Sequence, residues 1–154
     1  GTVLRSAHAF SASCVAFGPG CADPHSPKAV RASMGAVFSV PLARVGDIGE
    51  LPGERVALLA GAQEPLRGPE DGRAGLPARG ITLLIGAERE GLPEEVVGAC
   101  ERAARIPIAC ESLNAAMAAT VALYEMTRQT APVASRARAA GEPASQDTSR
   151  VPAS

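Results

Sequence analysis

The sequence predicts an α/β fold in which a mostly parallel sheet is flanked by helices. Short apolar runs with the character of strands alternate with segments of helical periodicity, the pattern of a βαβ architecture. Hydrophobic residues make up 46% of the 154 residues, enough for one core. Aromatic residues make up only 3%, so we expect a core of Ala, Val, Leu and Ile.

The first half of the chain contains a predicted helix over residues 2–12. Val3, Leu4, Ala7 and Phe10 recur on one face at helical spacing, whereas the remaining positions are mostly small or polar. A second helix starts at Pro27, where the missing N–H is tolerated. The elements predicted up to residue 60 are a strand over 14–17, this helix over 27–33, an extended segment over 36–40, a helical turn over 47–51 and a buried strand over 55–60.

The second half is divided by residues 61–80, which contain five Gly and three Pro and predict a long surface loop. Ser112 is expected to cap the last helix, which runs to about Gln129. Residues 130–154 lack Leu, Ile and aromatic residues, so we predict one domain over 1–129 and a disordered tail. The other elements are strands over 81–85 and 103–108 and a helix over 93–100 that starts with Pro and acidic residues.

Composition favours a soluble cytoplasmic protein. No apolar run approaches the roughly 18 residues of a membrane span. The four cysteines form no C-x-x-C pair, so a zinc site has little support and reduced thiols are expected. The net charge of -1 does not itself suggest a nucleic-acid binder. Residues 1–44 nevertheless carry a charge of +3, which is compatible with a basic patch or with an ordinary surface.

One candidate motif is the glycine-bracketed turn Gly86-Ala-Glu-Arg-Glu-Gly91. It follows a strand and precedes a helix, which is where α/β folds bind ligands. It does not match the G-x-G-x-x-G dinucleotide fingerprint. Taken alone, it fits an ordinary strand–turn–helix connection with exposed acids as well as it fits a ligand loop.

A second motif is Ile106-Pro-Ile-Ala-Cys-Glu-Ser-Leu-Asn114, at the end of the last predicted strand. Ser112 and Asn114 fall at a helix N-terminus, where backbone N–H groups are free. The simpler interpretation of this segment alone is helix capping by Ser112. Its alternative is a site in which small residues let the backbone approach a ligand.

Two further segments lie near the N-terminus, Gly1-Thr-Val-Leu-Arg-Ser-Ala-His-Ala-Phe10 and Asp23-Pro-His-Ser-Pro-Lys-Ala-Val-Arg-Ala-Ser-Met-Gly-Ala-Val-Phe38. In this order, the four segments resemble motif 1, the region after it, and motifs 2 and 3 of the SpoU (TrmH-like) branch of the SPOUT RNA methyltransferases. The resemblance covers residues 1–129. Motif 1 reads N-x-G-x-x-x-R-x-A-x-x-F, and its Asn is absent, so the domain is expected to be truncated within this motif.

The resemblance implies an enzyme that transfers a methyl group from S-adenosylmethionine to a ribose 2′-hydroxyl of rRNA or tRNA. It also implies a deep C-terminal trefoil knot in the α/β fold, a homodimer and a reaction without a metal. The helix over residues 112–128 is a candidate interface element. Knots are rare in proteins, so this expectation rests wholly on the resemblance.

The resemblance also assigns roles to residues. Main-chain groups in three loops would hold the methyl donor. Arg5 corresponds to the catalytic arginine of motif 1, which in this family is proposed to activate the 2′-hydroxyl with the RNA phosphate nearby. Because a permanently charged guanidinium is a poor base, we expect Arg5 instead to orient the acceptor hydroxyl and to stabilise developing negative charge. The cofactor-binding positions are Ala60, Gly86, Ile106 and Leu113. The catalytic positions are Arg5, Glu88, Ser112 and Asn114.

Two other functions are compatible with the sequence. The chain can be a truncated SPOUT domain that serves only RNA binding or dimerisation, although it retains the motif side chains. It can also be a nucleotide binder of the Rossmann type, although it lacks that glycine fingerprint and its acidic partner. The sequence does not identify the RNA, and it offers few aromatic residues for stacking on bases.

Overall fold

The computed structural model describes residues 1–68, 80–87 and 90–128. The predicted tail and most of the predicted 61–80 loop therefore lie outside the described residues. The helices are α1 (Thr2–Ala9), α2 (Pro27–Ser33), α3 (Glu94–Gly98) and α4 (Ala115–Thr127). The strands are β1 (Val15–Phe17), β2 (Leu42–Arg44), β3 (Glu54–Leu58), β4 (Glu64–Pro65), β5 (Ile81–Ile85) and β6 (Arg102–Arg105).

Every strand pairing in these ranges is parallel, which confirms the predicted sheet type. β1 pairs with β2 in a small sheet, and the second sheet has the order β4-β6-β3-β5. β6, the last of these strands in sequence, therefore lies between β3 and β4. Both neighbours of β6 in the sheet, β3 and β4, come before it in the sequence, so β6 is inserted between two strands that precede it along the chain.

The core is built from small and aliphatic side chains, as the composition predicts. One cluster lies between the larger sheet and α4, and the other lies between α1, α2 and the segment that follows α2. The helices α1 and α4 pack against each other, and the Ser6 Oγ and Thr120 Oγ1 atoms are 2.6 Å apart at their contact. The two clusters are Val56, Leu66, Ala104, Ala122 and Met126, and Leu4, Ala36 and Val37.

Several predicted elements in the first half need correction. Helix α1 ends at Ala9, and Ser11 has a positive φ of 55°. The segment 36–40 is not extended, because Met34 and Gly35 both adopt left-handed conformations and lead into a 3-10 helix over Ala36–Phe38. Strand β2 was not predicted, because three residues after a proline give too short a pattern to recognise.

Boundaries also shift in the second half. Strand β4 lies within the predicted 61–80 loop, and it depends on pairing with β6. Pro93 is the N-cap of α3 and not its first helical residue. The predicted strands over 55–60 and 103–108 are shorter than expected, since β3 ends at Leu58 and β6 ends at Arg105.

Ion pairs connect the start of the larger sheet to its surroundings. The Arg55 backbone N–H donates to Glu101 Oε2 at 2.7 Å, and the Arg55 guanidinium binds the same carboxylate. The Arg55 guanidinium hydrogen bonds lower the pKa of Glu101 to about 2 from its ordinary 4.5. Arg102 bridges Glu54 and Glu64 in the same sheet.

The lowered Glu101 pKa predicts an acid-sensitive contribution to stability. Because the folded-state pKa lies below the unfolded one, the contribution is complete above pH 4.5 and is lost as the pH falls towards about 2. We expect the wild-type and Glu101→Gln proteins to differ in unfolding free energy at about pH 6 and to converge as the pH falls through about 2, as measured by urea denaturation. Glu111→Gln, at an exposed surface position, is the control, and a difference that stays constant with pH would contradict the assignment.

In the described part of the chain, no helix is long and apolar enough to cross a membrane. All four cysteines fall in this part, and each is a free thiol.

Candidate active site

The carboxyl ends of three neighbouring strands form one edge of the larger sheet. In the parallel register, Leu58 of β3 aligns with Ile85 of β5 and with Ala104 of β6. The predicted positions Ala60, Gly86 and Ile106 follow these residues by one or two positions. The fold therefore brings the three loops to one edge, where ligands bind in open α/β sheets.

The loop after β5 folds tightly on itself. Ala87 and Gly91 exchange two backbone hydrogen bonds of 3.1 and 2.9 Å, and Gly91 has a φ of +69°. A Cβ atom built on Gly86 would lie 2.2 Å from the carbonyl carbon of Gly91, so residue 86 must be glycine for this loop to close. Glu88, predicted to be catalytic, lies outside the described residues.

The loops at this edge offer main-chain groups to a ligand. Among the described residues, the N–H and C=O groups of Ala60, Gly86, Ile106 and Leu113 make no backbone hydrogen bond outside the regular elements. The Ile106 side chain packs against the core cluster, and this anchors the loop after β6. The edge is therefore suited to bind a ligand through backbone groups.

Asn114, and not Ser112, caps the last helix. The Asn114 Oδ1 atom accepts a hydrogen bond of 2.8 Å from the Met117 N–H, and α4 begins at Ala115. A Ser112 cap would start the helix two residues earlier, so this prediction is wrong. Asn caps helices as well as Ser does, and the extended conformation of Asn114 places it at the turn. Ser112 is exposed, and its carbonyl accepts from the Cys110 thiol.

We expect Asn114→Ala to destabilise the protein by about 1 kcal/mol, because the Met117 N–H loses its acceptor. The measurement is the free energy of unfolding from urea denaturation. Ser112→Ala is the matched control and should leave stability unchanged. The reverse ranking of the two variants would show that Ser112 supplies the cap in solution.

Arg5 lies on α1 beside an open depression of about 370 Å³. The turn at Met34 and Gly35 forms one wall, and the last turn of α1 forms another. Met34 keeps a left-handed φ of 52° that is uncommon for a residue other than glycine, and its side chain is 74% exposed. The lining residues are Arg5, His8, Ala9, Ser33, Met34, Gly35, Ala36 and Ser39.

The two helices beside this depression are basic. Helix α2 carries Lys28 and Arg31, both exposed, and neither α1 nor α2 contains an acidic residue. This arrangement favours an anionic ligand, and of the two interpretations of the +3 charge of residues 1–44 it supports the basic patch.

Arg5 does not share its depression with the loops at the carboxyl edge of the larger sheet. Among the described residues, none that lines the depression belongs to the loops after β3, β5 or β6. The structure therefore groups Ala60, Gly86 and Ile106 and does not group Arg5 with them.

His8 and Met34 were not predicted as companions of Arg5. His8 follows Arg5 by three residues, and this spacing makes the two side chains neighbours on a helix surface, so it was a usable signal. Met34 gave no such signal, because its position depends on the left-handed turn.

Helix α4 presents an exposed apolar face made of Met117, Val121 and Tyr124, which are 53%, 39% and 54% exposed. The Tyr124 ring makes an edge contact with Phe10 at 6.1 Å between centroids. The opposite face of α4 is buried through Ala119, Ala122 and Met126. Met117, Val121 and Tyr124 thus form an apolar stripe that faces outward.

Over residues 1–68, 80–87 and 90–128, no group of three or more His, Cys, Asp or Glu side chains is arranged to hold a metal ion.

Comparison with known proteins adds a family match. The profile of the SpoU rRNA Methylase family matches residues 1–124. An uncharacterized tRNA/rRNA methyltransferase of Mycobacterium tuberculosis is 38% identical over 138 residues, which cover 83% of this chain and 47% of that protein. The 23S rRNA (uridine(2479)-2′-O)-methyltransferase of Streptomyces viridochromogenes is 37% identical over 137 residues, covering 84% of this chain and 48% of that enzyme. The chain thus spans about half the length of these relatives.

Solved structures agree in fold. The AdoMet-bound rRNA methyltransferase from Sinorhizobium meliloti superposes with a TM-score of 0.73 at 32% identity, covering 85% of this chain and 51% of that one. The SpoU methyltransferase AviRb from Streptomyces viridochromogenes, in complex with the cofactor AdoMet, gives a TM-score of 0.71 at 32% identity, covering 84% and 54%.

Proposed function

The chain belongs to the SpoU rRNA Methylase family, and we propose that it transfers a methyl group from S-adenosylmethionine to a ribose 2′-hydroxyl of rRNA or tRNA. The observation that carries this proposal is the common edge formed by the loops after β3, β5 and β6. Family motifs 2 and 3 coincide with two of these loops. A relative at 37% identity is named as a 2′-O-methyltransferase of 23S rRNA.

We propose that Ala60, Gly86, Ile106 and Leu113 hold the methyl donor through main-chain groups. Their backbone N–H and C=O groups are free of other backbone partners in the described residues, so they fit a ligand with both donors and acceptors. The bound donor supplies an electrophilic methyl group on a sulfonium. The protein contributes position, which accounts for a large part of the rate when two reactants must meet.

We propose that Arg5 acts on the acceptor. Its guanidinium is exposed at the open depression, between helices that carry no acidic residue. It would bind RNA phosphate, orient the 2′-hydroxyl and stabilise charge that develops on oxygen. Among the other predicted catalytic residues, Asn114 acts by holding the start of α4, while Ser112 and Glu88 are proposed to position the motif loops and substrate.

The separation of Arg5 from the donor loops within one chain supports a homodimer. In such a dimer, Arg5 of one protomer would serve the donor site of the other. The exposed face of Met117, Val121 and Tyr124 on α4 is the proposed interface, since a contiguous apolar surface marks an interaction site. Light scattering at micromolar concentration should give twice the chain mass, and a monomer would contradict this part of the proposal.

We also propose the trefoil knot of this family. Two features support it: β6 lies between β3 and β4, and the segment after β4 is held against α4. There the Gly68 N–H donates to Glu125 Oε1 at 3.0 Å, and a Cβ on Gly68 would lie 2.2 Å from the Glu125 carbonyl oxygen. The segment at Gly68 and helix α4 thus pack closely against each other. We place the protein in the cytoplasm, in line with its four free thiols.

The experiment that tests the function uses the full-length protein. Calorimetry should show binding of S-adenosylmethionine and not of NAD, since binding of NAD alone would favour the Rossmann alternative. The protein should then transfer labelled methyl groups to total RNA from a strain that lacks the gene. Donor binding without transfer would favour a non-catalytic module. Mapping the 2′-O-methyl group that the deletion strain loses would identify the nucleotide.

A further inference from the structure

We propose that Phe38 is a stacking platform for an unpaired base of the RNA substrate, next to the depression at Arg5, and this inference rests on the proposed function. Proteins that bind single-stranded RNA combine aromatic rings, on which bases stack, with cations that contact phosphates. The turn after α2 and its neighbours offer both kinds of side chain. Phe38 is 77% exposed, and Met34, four residues before it, is 74% exposed.

Phe38 is the aromatic side chain that the fold leaves without a packing partner. The chain has three Phe and one Tyr. The ring of Phe10 meets that of Tyr124, and Phe17 packs against the core cluster that contains Leu4. Over the described ranges, Phe38 takes part in neither contact. A single exposed ring is common on protein surfaces, so the surroundings of Phe38 decide what it can bind.

The backbone around Phe38 is held in place before any ligand binds. Ser33 is fully buried, and its hydroxyl donates to the Val30 carbonyl at 2.8 Å and accepts from the Val37 N–H at 3.4 Å. The Phe38 N–H donates to the Gly35 carbonyl at 3.0 Å and closes the 3-10 turn. These bonds tie the turn to α2, so little conformational entropy is lost when a ligand meets the ring.

The turn that carries Phe38 is also a wall of the depression at Arg5. Ala36 and Ser39, two residues before Phe38 and one after it, both line the depression, as does Met34. A base stacked on Phe38 therefore lies near the ribose that we propose Arg5 receives. An RNA duplex keeps its bases paired and stacked on one another, so the platform selects an unpaired nucleotide.

Cations without a carboxylate partner accompany the ring. Arg5, Lys28 and Arg31 are exposed, and in the part of the chain that the structure describes none of the three forms an ion pair. By contrast, Arg55 and Arg102 on the larger sheet each bind a carboxylate. Three uncompensated positive charges favour the phosphates of an RNA strand.

The same charges argue against a second copy of this chain as the occupant. A twofold interface brings the same surface patch of both protomers together. Here it would place the exposed cations of one α2 against those of the other, and neither α1 nor α2 carries an acidic residue to compensate them. An RNA supplies phosphates for the cations and a base for the ring.

The test measures how the full-length protein binds a short single-stranded RNA of mixed sequence that contains 2-aminopurine, whose fluorescence is quenched by stacking. The wild type should bind the RNA and quench it. Phe38→Leu keeps an apolar side chain but loses the aromatic face, so it should bind about tenfold more weakly and lose the quenching. Phe38→Trp should retain both. The corresponding duplex should show no dependence on Phe38.

A second pair of variants tests the cations. Arg31→Ala should weaken binding and reduce the slope of log affinity against log salt concentration by about one, because one phosphate contact is lost. Arg44→Ala removes an exposed arginine outside the depression and is the matched control, which should keep the wild-type affinity and slope.

Each contrary outcome has a defined meaning. Wild-type affinity and quenching in Phe38→Leu would overturn the platform, and so would a loss of stability in urea denaturation, since the ring would then pack within the protein. Light scattering that shows Phe38-dependent dimers would assign the surface to a second copy instead. Methyl transfer to total RNA is assayed separately. Its absence in a wild type that quenches the probe through Phe38 would overturn the proposed function while stacking at Phe38 stands.

Discussion

Arg5→Ala is expected to lower the rate of RNA methylation by at least about 100-fold while donor affinity stays nearly unchanged. The physical reason is the separation of the two proposed sites: Arg5 lies at the α1 depression, and the loops proposed to bind the donor lie at the carboxyl edge of the larger sheet. Removing the guanidinium leaves the developing charge on oxygen without its cation. The measurement pairs a methyl-transfer assay with calorimetric titration of S-adenosylmethionine.

Two further variants sharpen the test of Arg5. Arg5→Lys keeps the charge but loses the planar fork that orients a hydroxyl and a phosphate, so only partial activity is expected. Arg44→Ala removes an exposed arginine at the end of β2, outside the depression, and should retain full activity. Loss of donor affinity in Arg5→Ala with preserved turnover would show that the role assigned to Arg5 is wrong.

Gly86→Ala is expected to weaken binding of the methyl donor by at least about tenfold, and methylation should fall with it. The added Cβ would lie 2.2 Å from the Gly91 carbonyl carbon and 2.5 Å from both its oxygen and the Leu92 nitrogen. Each of these is a backbone atom, so the methyl group is accommodated only if the loop shifts. The main-chain groups that are proposed to bind the donor then leave their positions.

Gly98→Ala is the matched control for Gly86→Ala. Gly98 is the last residue of α3, and a Cβ there would meet no atom within 4 Å. Donor affinity should stay at the wild-type value in this variant. Circular dichroism and urea denaturation distinguish a local effect on the loop from unfolding. Wild-type donor affinity in a folded Gly86→Ala protein would contradict the assignment of this loop to the donor.

Much of the fold was predictable where local pattern and tertiary context agree. Ile81–Ile85 is a continuous apolar run, and it forms a strand with the predicted bounds. Ser26 and Pro27 mark the start of α2, and the Ser26 hydroxyl accepts the Ala29 N–H as its cap. Two-residue β4 was not predictable, since it exists through its pairing with β6.

The start of α4 shows that tertiary structure decides between two residues that are equally able to cap a helix. Ser112 and Asn114 are both good capping residues, and the sequence offers no means to choose between them. The path of the chain from β6 to the contact between α4 and α1 places Asn114 at the helix start. The difference in capping preference between Ser and Asn is smaller than the packing energy that fixes where helix α4 lies.

By itself, the sequence determined the parallel α/β class and the motif segments, because apolar runs, glycines and prolines act on the nearby backbone. It also indicated the family, because four segments of the sequence resemble the family's motifs and occur in the same order along the chain. Only the tertiary structure decided that Ala60, Gly86 and Ile106 share one edge while Arg5 shares a depression with His8 and Met34. Strand register and a left-handed turn set these proximities, and both depend on contacts between residues far apart in the chain.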